Sequence, residues 1–184
     1  MRIAFTGKAG SGKTTAADLL VSRGYQKLSF AAPMKRDVLE MVRKHAPWVT
    51  LETLDQGKDL FRTVLQGYGT ECIKPLCGDD YWANLTVRES EHFALCSVDD
   101  MRFTIEATRW REAGGIVVKV NCPDSIRKIR LERKFGRDIS DAEWEKWNSH
   151  QSEKEVDLID PDFEIDNSRD SVVFLASALK ELLG

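Results

Sequence analysis

A chain of 184 residues suits one domain, and a hydrophobic share of 42% is enough for a sizeable core. With 31% charged residues and a formal net charge of −3, the composition excludes a disordered or low-complexity chain and argues against direct nucleic-acid binding. The four cysteines, Cys72, Cys77, Cys96 and Cys122, form no Cys-x-x-Cys pair and are too sparse for a secreted disulfide scaffold. Met1 to Phe5 leads straight into a glycine-rich segment, and no apolar run approaches a membrane span. A soluble, cytoplasmic protein with no membrane partner is therefore expected.

In chain order, Ile3-Ala4-Phe5 is too short for a helix and reads as a buried strand. Lys13 to Arg23 carries Ala16, Leu19 and Leu20 at helical spacing and stops at Gly24. Tyr25–Phe30 reads as a second strand. Pro33 suits the first turn of a helix with Met34, Val38, Met41 and Val42 on one face. Phe61, Val64, Leu65 and Tyr68 mark a third helix. Ala94–Val98 reads as a strand ending in Asp99-Asp100, followed by a helical stretch around Phe103–Ala113 that stops at Gly114-Gly115. The β-branched run Ile116–Val120 is typical of a buried parallel strand. A short strand at Phe163–Ile165 and a closing helix at Val172–Leu183 complete the chain.

This alternation predicts an α/β domain with a parallel sheet. The core comprises residues 1–49, 93–122 and 158–184, with two stretches grafted on at about 50–92 and 123–157. The second is sharply segregated in charge. Residues 123–137 carry six basic and two acidic side chains, a balance of +4, whereas residues 138–164 carry two basic and ten acidic, a balance of −8.

Gly7-Lys8-Ala9-Gly10-Ser11-Gly12-Lys13-Thr14 fits G-x-x-x-x-G-K-[ST], a phosphate-binding loop placed between a predicted strand and a predicted helix. Its glycines let successive N–H groups converge into an anion nest, and the positive end of the following helix adds to it. Gly7, Ala9, Gly10, Ser11 and Gly12 are the expected cradle, with Lys13, Thr14 and Thr15 opening the helix. Lys13 can reach the β- and γ-phosphates of a nucleotide, and the Thr14 hydroxyl can ligate Mg²⁺. A second acidic group facing the metal is expected at Asp99-Asp100. Phosphoryl transfer also needs positive charge on the migrating group, which arginine supplies in bidentate form. Arg62, Arg102, Arg130, Arg133 and Arg137 are the candidates, the last three on a basic lid. The three histidines lack metal spacing, and Trp82 is either packing or a base-stacking surface.

Six segments together resemble the bacteriophage deoxynucleoside monophosphate kinases, a branch of the phosphate-loop nucleoside monophosphate kinases. They are the loop itself, Phe30-Ala31-Ala32-Pro33-Met34-Lys35, Leu65-Gln66-Gly67-Tyr68-Gly69-Thr70-Glu71, Asp79-Asp80-Tyr81-Trp82, Val98-Asp99-Asp100-Met101-Arg102-Phe103 with Glu106-Ala107, and His150-Gln151-Ser152-Glu153. The resemblance implies a five-stranded parallel sheet flanked by helices, a helical insertion for the monophosphate and a basic lid. It implies transfer of the γ-phosphate of ATP to a deoxynucleoside monophosphate with Mg²⁺, in the host cytoplasm, and it leaves a homodimer open. By matching positions, Asp100 is placed near the metal. Arg62, Gln66, Thr70, Arg102 and Glu106 fall on the acceptor side, with Phe30, Lys35, Asp80 and Trp82. Family members carry an arginine shortly after Gly-Thr-Glu, where this chain has Cys72-Ile73-Lys74, so Lys74 stands in as a point charge. Two other readings stay open at this stage: another small-molecule kinase, such as a dephospho-coenzyme A kinase, and a non-catalytic nucleotide-binding switch.

Overall fold

The computed structural model describes residues 1–169 and 171–183, with the side chains at 55, 56, 58–60 and 62 outside the description. The strands are β1 (Arg2–Thr6), β2 (Gln26–Leu28), β3 (Cys96–Met101), β4 (Ile116–Asn121) and β5 (Phe163–Asp166). The helices are α1 (Lys13–Val21), α2 (Ala32–Arg43), α3 (Leu51–Gln56), α4 (Lys58–Gln66), α5 (Lys74–Cys77), α6 (Tyr81–Ser90), α7 (Thr104–Glu112), α8 (Asp124–Phe135), α9 (Asp141–Asn148), α10 (Gln151–Glu155) and α11 (Val172–Leu183). A π-helical segment, Gly67–Ile73, joins α4 to α5.

All five strands run parallel in the order β2-β3-β1-β4-β5. Alternating side chains serve the two faces of the sheet. Ile3, Phe5, Val118 and Val120 pack with Ala16, Ala17 and Leu20 of α1 and with Leu175 and Leu179 of α11. Ala4, Val98 and Val117 face the other way, onto Ala83 of α6 and onto Ala107 and Trp110 of α7. A satellite cluster of Leu39, Val49 and Leu54, joined by Phe61, ties α2 to α3 and α4, which open a helical arm, residues 50–92, beside the sheet. After β1 the chain leaves to one side of it and, through β3, returns to pair β4 on the other. In open parallel sheets the crevice beside such a reversal collects ligands.

The expected elements hold, with three differences. The third strand extends through Met101, whose burial keeps both aspartates inside it rather than beyond its end. The second strand is only Gln26–Leu28, because Ser29–Ala31 is drawn away by Asp100. The helix expected to include Tyr68 passes into the π-helical segment after Gln66. No helix among the described residues is long and apolar enough to cross a membrane.

Candidate active site

The loop after β1 has the conformation its glycines permit. Gly7 and Gly12 sit at φ +141° and +108°, where a side chain is strained. A Cβ on Gly7 would meet the Val120 carbonyl oxygen at 2.5 Å. The Ser11 N–H closes the turn on the Lys8 carbonyl (3.1 Å), and Thr14 and Thr15 stand exposed on the first turn of α1. The Ser11 hydroxyl is buried and has no partner, as expected of a cradle that holds polar oxygens. A cleft lined by Gly7, Lys8, Lys119 and Cys122 opens beside the loop, at the end of β4.

Lys13 folds back under this loop and donates to the carbonyls of Gly7 and Lys8. Its burial, reinforced by the nearby Arg102 guanidinium, depresses its pKa to about 7. A bound polyanion would reverse that shift, so the lysine is held ready for phosphate.

The two aspartates of β3 divide their duties. Asp100 accepts from Ser29 Oγ (2.6 Å) and from the N–H groups of Phe30 (2.8 Å) and Ala31 (3.1 Å). Asp99 instead bridges to Lys27 at 2.9 Å, and its charge acts on Lys13. Asp100, expected at the metal, is thus occupied in latching the Ser29–Ala31 loop, and Asp99 is the aspartate whose field reaches the phosphate lysine.

Beyond β3, Glu106 accepts from the N–H groups of Arg102 (2.8 Å) and Phe103 (3.1 Å), capping α7. Desolvation, with the Asp100 charge behind it, pushes the Glu106 carboxyl up to about 8. Lys74 reaches the same place from the arm, its ammonium 5.4 Å from the Phe103 ring centroid. The Asp100–Glu106 segment therefore lies between the phosphate loop and the arm.

The remaining acceptor-side candidates spread along the arm. Gln66 and Thr70 are exposed and Lys35 is half-buried on the first turn of α2, whereas the Arg62 side chain lies outside the described residues. Phe30 is core, edge-on to Trp110 at 5.9 Å. Trp82 is 7% exposed and donates to the Gly69 carbonyl at 3.0 Å, so its indole fastens α6 to the π-helical segment rather than presenting a stacking face. Asp80 pairs with Arg109 at 2.7 Å, a partner the sequence did not single out.

The lid candidates separate in the same way. Arg130 lies across the loop, donating to Ser11 O (3.3 Å), Asn167 O (3.1 Å) and Arg169 O (3.2 Å). Arg133 is exposed on the last turn of α8, and Arg137 pairs with Glu143 at 2.6 Å on the surface. Three further residues adjoin the loop: Asn167, Arg127 of the basic segment and Glu153 of the His150–Glu153 segment. Asn167 Nδ2 donates to Ser11 O at 2.7 Å. Arg127, 1% exposed, donates to Ala9 O at 2.8 Å and to Asn148 at 3.0 Å. Glu153 accepts from the Ala9 N–H at 2.9 Å and pairs with Arg102.

No family model matches the chain. A provisionally named deoxynucleotide monophosphate kinase of Acanthamoeba polyphaga mimivirus is 28% identical over 143 residues, covering 66% of this chain and 74% of the relative. A crystal structure from Thermus thermophilus superposes with a TM-score of 0.62 at 23% identity, covering 100% of this chain and 96% of its own. A shikimate kinase from Acinetobacter baumannii in complex with shikimate gives 0.55 at 17% identity, with 99% and 92% covered. A dephospho-CoA kinase from Campylobacter jejuni gives 0.54 at 14% identity, with 99% and 95% covered. The fold is that of the P-loop kinases.

Proposed function

We propose that this chain is a phosphotransferase that moves the γ-phosphoryl group of ATP to a deoxynucleoside 5′-monophosphate, of the type its sequence resembles. The observation that carries the reading is the placement of the Asp100–Glu106 segment. Its Arg102 pairs with Glu153, which accepts from the Ala9 N–H of the loop, while its Phe103 ring lies 5.4 Å from the Lys74 ammonium of the arm. One continuous stretch thus links the phosphate loop to Lys74, a point charge suited to a second phosphate. The name of the mimivirus relative supports the same acceptor class.

In this reading the glycine cradle and the buried Ser11 hydroxyl hold the triphosphate, and Lys13 supplies positive charge to its outer phosphates. Mg²⁺ bound with the triphosphate would neutralise charge on the β- and γ-oxygens. Thr14 and an aspartate of β3 would hold it, and Asp99, whose charge acts on Lys13, is favoured over Asp100, which latches the Ser29–Ala31 loop. The arm, residues 50–92, would carry the acceptor, and the lid, residues 123–157, would keep water from competing with it. Arg102, paired with Glu153 beside the loop, would lie between the two substrates and steady the migrating group. An ADP-release assay tests the reading with each common deoxynucleoside monophosphate, with shikimate and dephospho-coenzyme A as controls. Release that depends on a deoxynucleoside monophosphate supports it. Release driven by a control acceptor, or independent of any acceptor, replaces it with another kinase or a nucleotide switch.

A further inference from the structure

Glu153 is an acid where an acid is costly. It is 6% exposed, and its carboxylate accepts from the Ala9 N–H at 2.9 Å, pairs with Arg102 and lies 3.5 Å from Arg127. An N–H of a glycine-rich phosphate loop is suited to an anion, and so is an arginine beside it. Both meet a side chain from α10 instead. The setting explains why. Lys13, Arg102 and Arg127 crowd together, and the two arginines already depress the lysine, while Glu153 opposes them. Without a ligand, this cluster needs a negative charge from the protein itself.

We propose that Glu153 is a positioning residue that occupies the Ala9 N–H of the phosphate loop in the free protein and holds Arg102 beside it until phosphate displaces its carboxylate. The inference deepens the proposed function and rests on its assignment of the loop. A polyphosphate brings more negative charge to the nest than one carboxylate, and the two repel each other at this separation. The carboxylate is therefore expelled, and Arg102 and the Ala9 N–H pass to the ligand. Glu153 belongs to a five-residue helix that starts at the His150 cap, where the Ser152 N–H donates to His150 Nδ1 at 3.3 Å. So short a helix, with its buried acid removed from the nest, loses the contact that orders it.

Two measurements decide the matter. Hydrogen exchange of the wild-type protein is followed with and without ATP, and separately with inorganic pyrophosphate. The expected result is opposite responses: slower exchange at residues 7–13 and faster exchange at residues 151–155. Slower or unchanged exchange at 151–155 with ligand bound overturns the proposal. Calorimetry then compares the wild type with Glu153→Gln, which keeps the shape and removes the charge. The variant should bind pyrophosphate about fivefold more tightly, because the ligand displaces a neutral partner instead of a charged one. Equal or weaker binding contradicts the proposal, since an acid of purely structural value would loosen the site when replaced. Should Glu153→Gln fail to fold, the wild-type exchange result decides alone. A protein that responds to pyrophosphate but not to ATP keeps this inference and overturns the proposed function. One that binds neither overturns both.

Discussion

Lys13 and Glu106 carry the two largest protonation shifts of the site, and they act on stability in opposite directions. The folded pKa of Lys13 lies near 7, below its ordinary 10.5, so the unfolded chain binds more protons between those values and stability rises with pH across that window. Glu106, raised from 4.5 to about 8, contributes stability that is complete below pH 4.5 and is lost as pH rises toward 8. Glu106→Gln should therefore abolish the loss of melting temperature between those pH values, which thermal melts across the range will show. ATP binding should restore the Lys13 charge. At pH 8 it should take up about one proton, read from calorimetry in buffers of different ionisation heat, and Lys13→Met should abolish the uptake. The aspartates form a second contrast. Asp99→Asn should weaken the response of turnover to magnesium, whereas Asp100→Asn frees the Ser29–Ala31 loop and should raise the KM for the acceptor. The reverse pattern returns the metal to Asp100.

At the scale of elements, what was legible depended on how local the cause is. The glycine loop and β4 follow from short-range chemistry: glycines at positive φ, and a β-branched run buried on both faces. The charge jump from +4 to −8 falls on the stretch that folds as α8, α9 and α10. Its internal roles were not legible, because they are set across the fold. Glu153 is one acid among ten in residues 138–164 and is marked in sequence only as the end of the His150–Glu153 segment, yet it closes on Ala9 from the far end of the chain. Arg127 likewise looks like any lid arginine until Ala9 and Asn148 are seen to enclose it. Trp82 and Glu106 show the converse, with side chains suited to a ligand engaged in fastening α6 and capping α7. Among the lid arginines, Arg130→Ala should lower turnover most, since that side chain spans the loop and the segment after β5. Arg137→Ala removes only a surface pair and should leave melting temperature nearly unchanged. Equal loss of turnover in both variants would deny the lid this division.

For the molecule as a whole, the account requires that nucleotide and acceptor meet at one end of one sheet, with Lys13 beneath the loop and Arg102 between the two. Trp110, fully buried behind β3 and β4, should cost about 3–5 kcal/mol of stability on replacement by Ala, measured by denaturant unfolding. The most direct test of the central claim follows the phosphorus atom. ATP labelled at the γ-phosphate is incubated with the protein and the common deoxynucleoside monophosphates, and the labelled products are separated. Label is expected in at least one deoxynucleoside diphosphate, with transfer falling about 100- to 1000-fold in a folded Lys13→Ala protein. Label appearing only as inorganic phosphate, or transfer undiminished by Lys13→Ala, would contradict it.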